Sequence, residues 1–328
     1  MRYNSASMRV LSGIQPSGKL HLGNYFSMMK RMIEYQKNHS LYCFIASYHS
    51  LSTIFDKKVM TENILESAMD FLALGIDPDK SVFWVQSDVP EVTELTWLLS
   101  MSIGVAQLEL AHSYKDKISQ GIKPSAGLMF YPVLMAADIL LFGGEKIPVG
   151  KDQKQHLEIT RDICMRFNST YGETFRLPEP DILNDVETVP GIDGRKMSKS
   201  YNNTISFFGT EKEIKKRVMS IVTDSTPVEQ PKSYADSVLY SIYSLFLDEP
   251  GKKELQERFQ TPGVGFGEIK LKLYHTILDH FEPYRTKRED LAKHPDDVRD
   301  ILSTGAKKAR ETARSFLEKA RLNTGLSY

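Results

Sequence analysis

Apolar positions in the first 200 residues alternate between two patterns. Short apolar runs occur at Met8 to Leu11, Leu41 to Ala46, Ser81 to Gln86 (SVFWVQ) and Lys146 to Val149. Their length and β-branched or aromatic content predict strands. Longer stretches with helical spacing lie between and after them, at about Leu22 to Asn38, Met60 to Leu74, Glu91 to Met101 and Asp152 to Phe167. Gly75 follows the second of these as a predicted C-cap. Strands alternating with helices imply parallel βαβ units, hence an α/β fold with a Rossmann-type doubly wound parallel sheet.

Beyond about residue 205 the strand signals fade. Glu211 to Val222, Ser237 to Leu247, Phe266 to His280 and Val298 to Leu322 all carry helical spacing. The turn signals Pro190-Gly191, Asp193-Gly194 and Asn202-Asn203 mark a boundary. The expectation is a Rossmann-type domain over residues 1–200 and a smaller α-helical domain over 201–328, with the last helix either part of that domain or folded back on the first. A length of 328 residues suits two domains.

Composition narrows the classes. No run of about 18 apolar residues is present, so no membrane-spanning helix is expected. Met1 to Met8 lacks the apolar stretch of a secretory signal, and a cytoplasmic location fits. The two cysteines, Cys43 and Cys164, sit among apolar neighbours and make neither a disulfide framework nor a zinc cluster. No structural metal is expected. The formal net charge is zero, so a nucleic-acid partner would have to be argued from a local basic patch.

Two loops carry candidate chemistry. Gly13, Gly18 and Gly23 punctuate a strand-to-helix connection, where backbone N–H groups and the next helix N-terminus favour phosphate. Ser17 adds a hydroxyl donor, His21 can donate to a phosphate oxygen, and Gly23 leaves room for adenine or ribose. The spacing is neither G-x-G-x-x-G nor a P-loop; an ordinary tight βα turn explains the glycines equally well. The second loop is Lys196-Met197-Ser198-Lys199-Ser200. Two lysines three apart, with two serines, can surround a triphosphate and offset charge on a pyrophosphate leaving group. A generic K-x-x-K is usually a solvated loop.

A third candidate is Asp138, in the apolar helical string FYPVLMAADILL. A carboxylate there needs a partner. An indole N–H is one, and a structural ion pair is another. Tyr131 and Met135 lie near the same face and suit a slot for a large flat side chain.

The string GIQPSGKLHLGNY resembles the first signature of class I aminoacyl-tRNA synthetases, with His21-Leu22-Gly23-Asn24 at its short form. KMSKS matches the second signature at all five positions, and FYPVLMAADILL resembles the tryptophanyl branch. The resemblance runs over about residues 9 to 325. It implies an enzyme that activates L-tryptophan with ATP, as its Mg2+ complex, to the adenylate plus pyrophosphate. The amino acid then passes to the 3′ end of tRNA(Trp). Lys199, Lys196 and His21 are the implied catalytic groups. ATP contacts carry over to Gln15, Pro16, Ser17, Gly23, Asn24, Gly150, Asp152 and to Lys196, Met197, Ser198, Lys199 and Ser200. Val189 falls on adenine or in plain core. Tryptophan contacts carry over to Asp138, Tyr131, Met135, Gln153, His49 and Leu11. Many relatives have an acid where this chain has Lys151, so only a backbone ATP contact is implied there. Asp152 also serves as an N-cap in the simplest reading. The family implies a homodimer without membrane association.

Three rivals are a tyrosine-specific relative, a nucleotidylyltransferase with a related His-x-Gly-His turn, and a non-catalytic tRNA- or nucleotide-binding paralogue. Gln-Pro-Ser-Gly and Met-Ala-Ala-Asp argue against the first, the helical half against the second, and Lys196, Lys199 and His21 against the third. The basic helix at Gly305 to Arg321, with Lys307, Lys308, Arg310, Arg314, Lys319 and Arg321, reads either as a phosphate-facing surface or as a solvated helix face.

Overall fold

The computed structural model describes residues 8–16, 18–119, 121, 123–150, 154–182 and 189–327. The chain opens with β1 (Arg9–Ile14), α1 (Leu22–Asn24), a π-helical turn (Tyr25–Met29) and α2 (Lys30–Asn38). Next come β2 (Ser40–Ile45), α3 (Ser47–Ser50), α4 (Lys57–Leu74), β3 (Ser81–Val85), α5 (Glu91–Ser100), α6 (Val105–Glu109) and α7 (His112–Ser119). Then follow α8 (Ala126–Leu141), β4 (Lys146–Val149), α9 (Lys154–Tyr171) and β5 (Glu179–Ile182). The helical half holds α10 (Glu211–Met219), α11 (Val238–Ser244), α12 (Glu249–Gln260), α13 (Phe266–Lys293) and α14 (Pro295–Asn323).

The five strands pair in parallel in the order β3-β2-β1-β4-β5. This is the doubly wound arrangement expected from the alternation of strands and helices. The order reverses between β1 and β4, which opens a crevice beyond the carboxyl ends of those strands. Side chains along each strand divide by parity. Val10, Cys43, Ile45, Phe83 and Val85 join the core shared with α2, α4 and α13. Leu11, Tyr42, Phe44 and Trp84 join the core shared with α5, α8, α9 and α14. Both faces are covered, so the strands read as continuous apolar runs.

Helix ends follow local chemistry. The Asp56 side chain accepts from Val59 N–H at the start of α4, and Gly75 ends it at φ 112°. Ser125 accepts from Leu128 N–H at the start of α8. Thr210 and Glu213 form a reciprocal capping box on α10. Three expectations need correction. The helix expected to end near His280 continues to Lys293. Its second half is polar because Arg285 and Arg288 bond to other elements: Arg285 to the Gly209 carbonyl, Arg288 to Asp70 and Glu66. The strand β5, at the sheet edge, and α12, a polar helix capped by Asp248, were not expected at all.

The last helix returns to the sheet. It lies along β3, with Gly305 against the Phe83 backbone and the Thr312 hydroxyl 3.0 Å from that of Tyr42. Of the basic side chains singled out there, Arg310 and Arg314 pair with Glu91 and Arg321 with Glu94 on α5. Lys307, Lys308 and Lys319 point to solvent. Cys43 and Cys164 are buried free thiols, as their neighbours implied. Among the described residues, no helix is long and apolar enough to cross a membrane.

Candidate active site

The crevice at the switch point holds a cavity of about 390 Å³. Leu11 and Gln15 from the β1 end, His49 from α3, Tyr131, Met135 and Asp138 from α8, and Gly150 after β4 all line it. All of these were singled out in the sequence, and the fold brings them together. Met28 and Phe44 also line it, from the π-helical turn and β2. A π-helical turn is an unusual element that recurs at functional sites. The Gln15 side-chain amide donates to the Tyr131 hydroxyl at 3.4 Å, and the Tyr131 ring lies 4.3 Å from that of His49.

Asp138 is buried, 2% exposed, at the wall of this cavity. Gln86 Nε2 donates to both of its oxygens at 2.8 Å. His49 Nε2 lies 2.9 Å from Oδ2. Burial pushes the Asp138 carboxyl above the usual range, against the pull of His49 and Gln86. A carboxylate offers roughly four lone-pair directions, so acceptor capacity remains. The structural pairing and the substrate-reading role of Asp138 are therefore compatible. Gln86 was missed in the sequence. Its signal was its place directly after β3, where open α/β sheets form sites.

The two signature loops meet. Gly23 N–H donates to Met197 Sδ at 3.3 Å, and a Cβ on Gly23 would stand 3.3 Å from the Met197 Cβ. A side chain at position 23 would first meet the His21 ring, 2.9 Å from its Nδ1, and would also crowd Met197 of the lysine loop. Met197 is buried, and its N–H donates to the Val189 carbonyl at 2.9 Å. Val189 thus sits in the core beneath the loop and does not line the cavity. Asn24 Oδ1 accepts from His21 N–H at 3.2 Å, and Pro16 is buried. Lys196 and Ser200 are exposed, and Ser198 is half-buried. Ser17, Lys151, Asp152 and Gln153 lie outside the described residues.

Lys199 Nζ donates to the Gly18 carbonyl at 2.8 Å. Burial lowers its ammonium pKa to about 8, and the negative charge of Asp70 opposes that shift. His21 is buried, and burial together with the Lys199 cation lowers it to about 4. Near neutral pH His21 is therefore a neutral hydrogen-bonding group beside a mostly charged lysine. A second cavity, about 690 Å³, adjoins this loop and is lined by Lys19, Lys199, Lys216 and Arg217.

Asn203, 1% exposed, holds the lysine loop in shape. It accepts from Ser198 N–H at 2.8 Å and donates to Asp193 Oδ1 at 2.7 Å and to the Lys196 carbonyl at 3.0 Å. Asn203→Ala should take the partner from the Ser198 N–H and the Lys196 carbonyl, while Asp193 keeps its bonds from Arg195, and cost the loop about 1–3 kcal/mol of order. The expected result is a roughly tenfold lower kcat/KM for ATP with a small change in Tm. An ATP kcat/KM within twofold of wild type would show that the loop does not depend on Asn203.

Comparison with known proteins fits this geometry. The family model "tRNA synthetases class I (W and Y)" matches residues 3–282. A tryptophan–tRNA ligase from Fusobacterium nucleatum is 53% identical, over 97% of this chain and 98% of that protein. The crystal structure of a Campylobacter jejuni tryptophanyl-tRNA synthetase complexed with ADP and tryptophan is 49% identical. It superposes with a TM-score of 0.93 over 97% of this chain and 100% of that one. An Archaeoglobus fulgidus tyrosyl-tRNA synthetase, at 18% identity and a TM-score of 0.66, shares the fold.

Proposed function

The chain belongs to the class I tRNA synthetases for tryptophan and tyrosine, and from that premise we propose how its residues divide the work. It is a tryptophan–tRNA ligase, which activates L-tryptophan with ATP and transfers it to tRNA. The observation that carries the division of labour is the buried Asp138 beside the aromatic-sized cavity, next to the paired signature loops.

In this reading the indole ring lies between Leu11, Tyr131 and Met135, with its N–H donated to Asp138. His49 holds the carboxylate from the side, and Gln153 meets the substrate amine. ATP lies across Gln15, Pro16, Ser17, Gly23 and Asn24, with its ribose toward Gly150, Lys151 and Asp152. Val189 supports the adenine side from beneath the loop. The substrate carboxylate is the nucleophile and attacks the α-phosphorus. The P–O bond to pyrophosphate breaks, and the leaving group carries away the electron pair. The enzyme supplies position and charge. Lys199 and Lys196, on the Met197-anchored loop with Ser198 and Ser200, offset the growing charge. His21 donates a neutral hydrogen bond. The nucleotide enters as its magnesium complex, with the ion riding on the triphosphate.

The partner in the second step is tRNA(Trp). Residues 1–200 are the catalytic domain and 201–328 the helical tRNA-facing domain, with α14 docked back on the sheet. Lys307, Lys308 and Lys319 are the cations of α14 left for phosphates. Trp97, Met101, Val105 and Leu110 are each at least 59% exposed on α5, α6 and their flanks. An apolar face of that kind fits a homodimer contact. The cytoplasm, which holds tRNA and ATP, is the compartment this reading implies.

Amino-acid-dependent ATP–pyrophosphate exchange tests the reading. Exchange should respond to tryptophan and to no other amino acid at comparable concentration. Exchange with tyrosine alone would overturn the substrate assignment, and none at all would overturn the activation chemistry.

A further inference from the structure

We propose that Gln86 determines specificity by fixing Asp138 as an ionised acceptor aimed at the substrate N–H. The inference rests on the reading that Asp138 receives the indole N–H. Gln86 is 1% exposed and does not line the cavity, so it acts through Asp138 as a positioning residue.

An amide can present either its oxygen or its NH2 to a neighbour, and only the NH2 supports a carboxylate. Here the choice is made by the backbone. Tyr48 N–H donates to Gln86 Oε1 at 2.9 Å. That bond occupies the amide oxygen and turns Nε2 toward Asp138, 2.8 Å from each oxygen. The neighbouring turns are tied in the same way, since Ser87 N–H donates to Ser47 Oγ at 3.1 Å. The donor is therefore held by the turns that directly follow β2 and β3.

The consequence is chemical. A buried carboxylate without donors takes up a proton and becomes a donor itself. A protonated Asp138 would present O–H as readily as a lone pair and would no longer favour an N–H-bearing ring. His49 alone secures one oxygen. Gln86 secures both, and so keeps the acceptor directed into the cavity.

The test compares L-tryptophan with β-(benzothiophen-3-yl)alanine, which replaces the indole N–H by sulfur at nearly equal size. The readout is the ratio of their kcat/KM values in ATP–pyrophosphate exchange, for wild type, Asp138→Asn, Gln86→Met and Gln86→Glu. A site built to pair an N–H rejects the analogue lacking it by about 100-fold or more. In both Gln86 variants the ratio should fall by about tenfold or more, through loss on tryptophan, with the analogue nearly unchanged. Gln86→Glu should also lower the ratio, because a proton shared by two adjacent carboxyls resides partly on Asp138. Equal losses on both substrates, a retained ratio, or variants that do not fold would overturn the inference. If wild type itself fails to discriminate, or Asp138→Asn discriminates as wild type does, the reading of Asp138 fails first. If Asp138→Asn loses the ratio while the Gln86 variants keep it, only the role of Gln86 falls.

Discussion

Lys199→Ala is expected to slow tryptophanyl-adenylate formation by about 10²–10³-fold while changing the KM for ATP by less than about threefold. The asymmetry follows from where the ammonium stands. Lys199 Nζ donates to the Gly18 carbonyl, on the first signature loop, at 2.8 Å. In the proposed ATP pose it stands at the phosphate end of the site, and it gains most when pyrophosphate charge develops. Losing it removes an interaction that is stronger in the transition state than in the ground state. Its lowered pKa, about 8, adds a second signature. The charged form is the useful one, so kcat/KM for ATP should decline as pH rises through about 8. Bound triphosphate favours the ammonium and should move that limb upward in kcat. Lys199→Arg, which stays charged, should flatten the limb even if it is slower overall. Rapid-quench measurement of adenylate formation checks the first effect. Equal losses in ATP affinity and in rate would remove Lys199 from transition-state stabilisation.

Much of this site was legible because it is built from strings. The two signature loops and the Asp138 helix are local in sequence, and a local string carries its own chemistry. The strands were likewise readable as short apolar runs covered on both faces, and the helices by their 3.6-residue period wherever one face is consistently buried. What the sequence hid is non-local. Gln86 and Asn203 are ordinary polar residues until the fold sets one against Asp138 and the other inside the lysine loop. Arg288 lay beyond the helix read from the sequence, which stopped near His280, yet its Nε donates to Asp70 at 2.6 Å. Burial raises Asp70 to about 6, against that pairing and a hydrogen bond from Leu20 N–H. One buried acid thus ties α13 to the backbone of the first signature loop. The basic stripe on α14 shows the same blindness. Periodicity gave the helix, but only the fold shows that Arg310, Arg314 and Arg321 face carboxylates of α5.

Gly305 carries the largest expected loss of stability. A glycine in the middle of a 29-residue helix costs about 1 kcal/mol relative to alanine, so its presence calls for a compensating contact. The contact is backbone on backbone. A Cβ at 305 would stand 1.7 Å from the Phe83 carbonyl oxygen and 2.6 Å from its carbon. Both atoms belong to the β3 backbone and cannot swing aside as a side chain would. Val298 and Leu302 before this point enter the core on one side of the sheet, and Ala306, Ala309 and Ala313 after it enter the core on the other. The helix therefore crosses the β3 edge at position 305 and covers a strand that would otherwise present an open edge. Gly305→Val should destabilise the protein by about 3 kcal/mol or more, through overpacking that no side-chain rotation relieves. A melt should fall by roughly 6 °C or more, and limited proteolysis should cut first near the start of α14. Gly267→Ala supplies the comparison, because nothing lies within 4 Å of a Cβ built there on α13. That variant should be neutral or slightly stabilising. If Gly305→Val melts within about 2 °C of wild type, α14 has another way onto the sheet. Its pairing with α5 through Glu91 and Glu94 would then be what holds it.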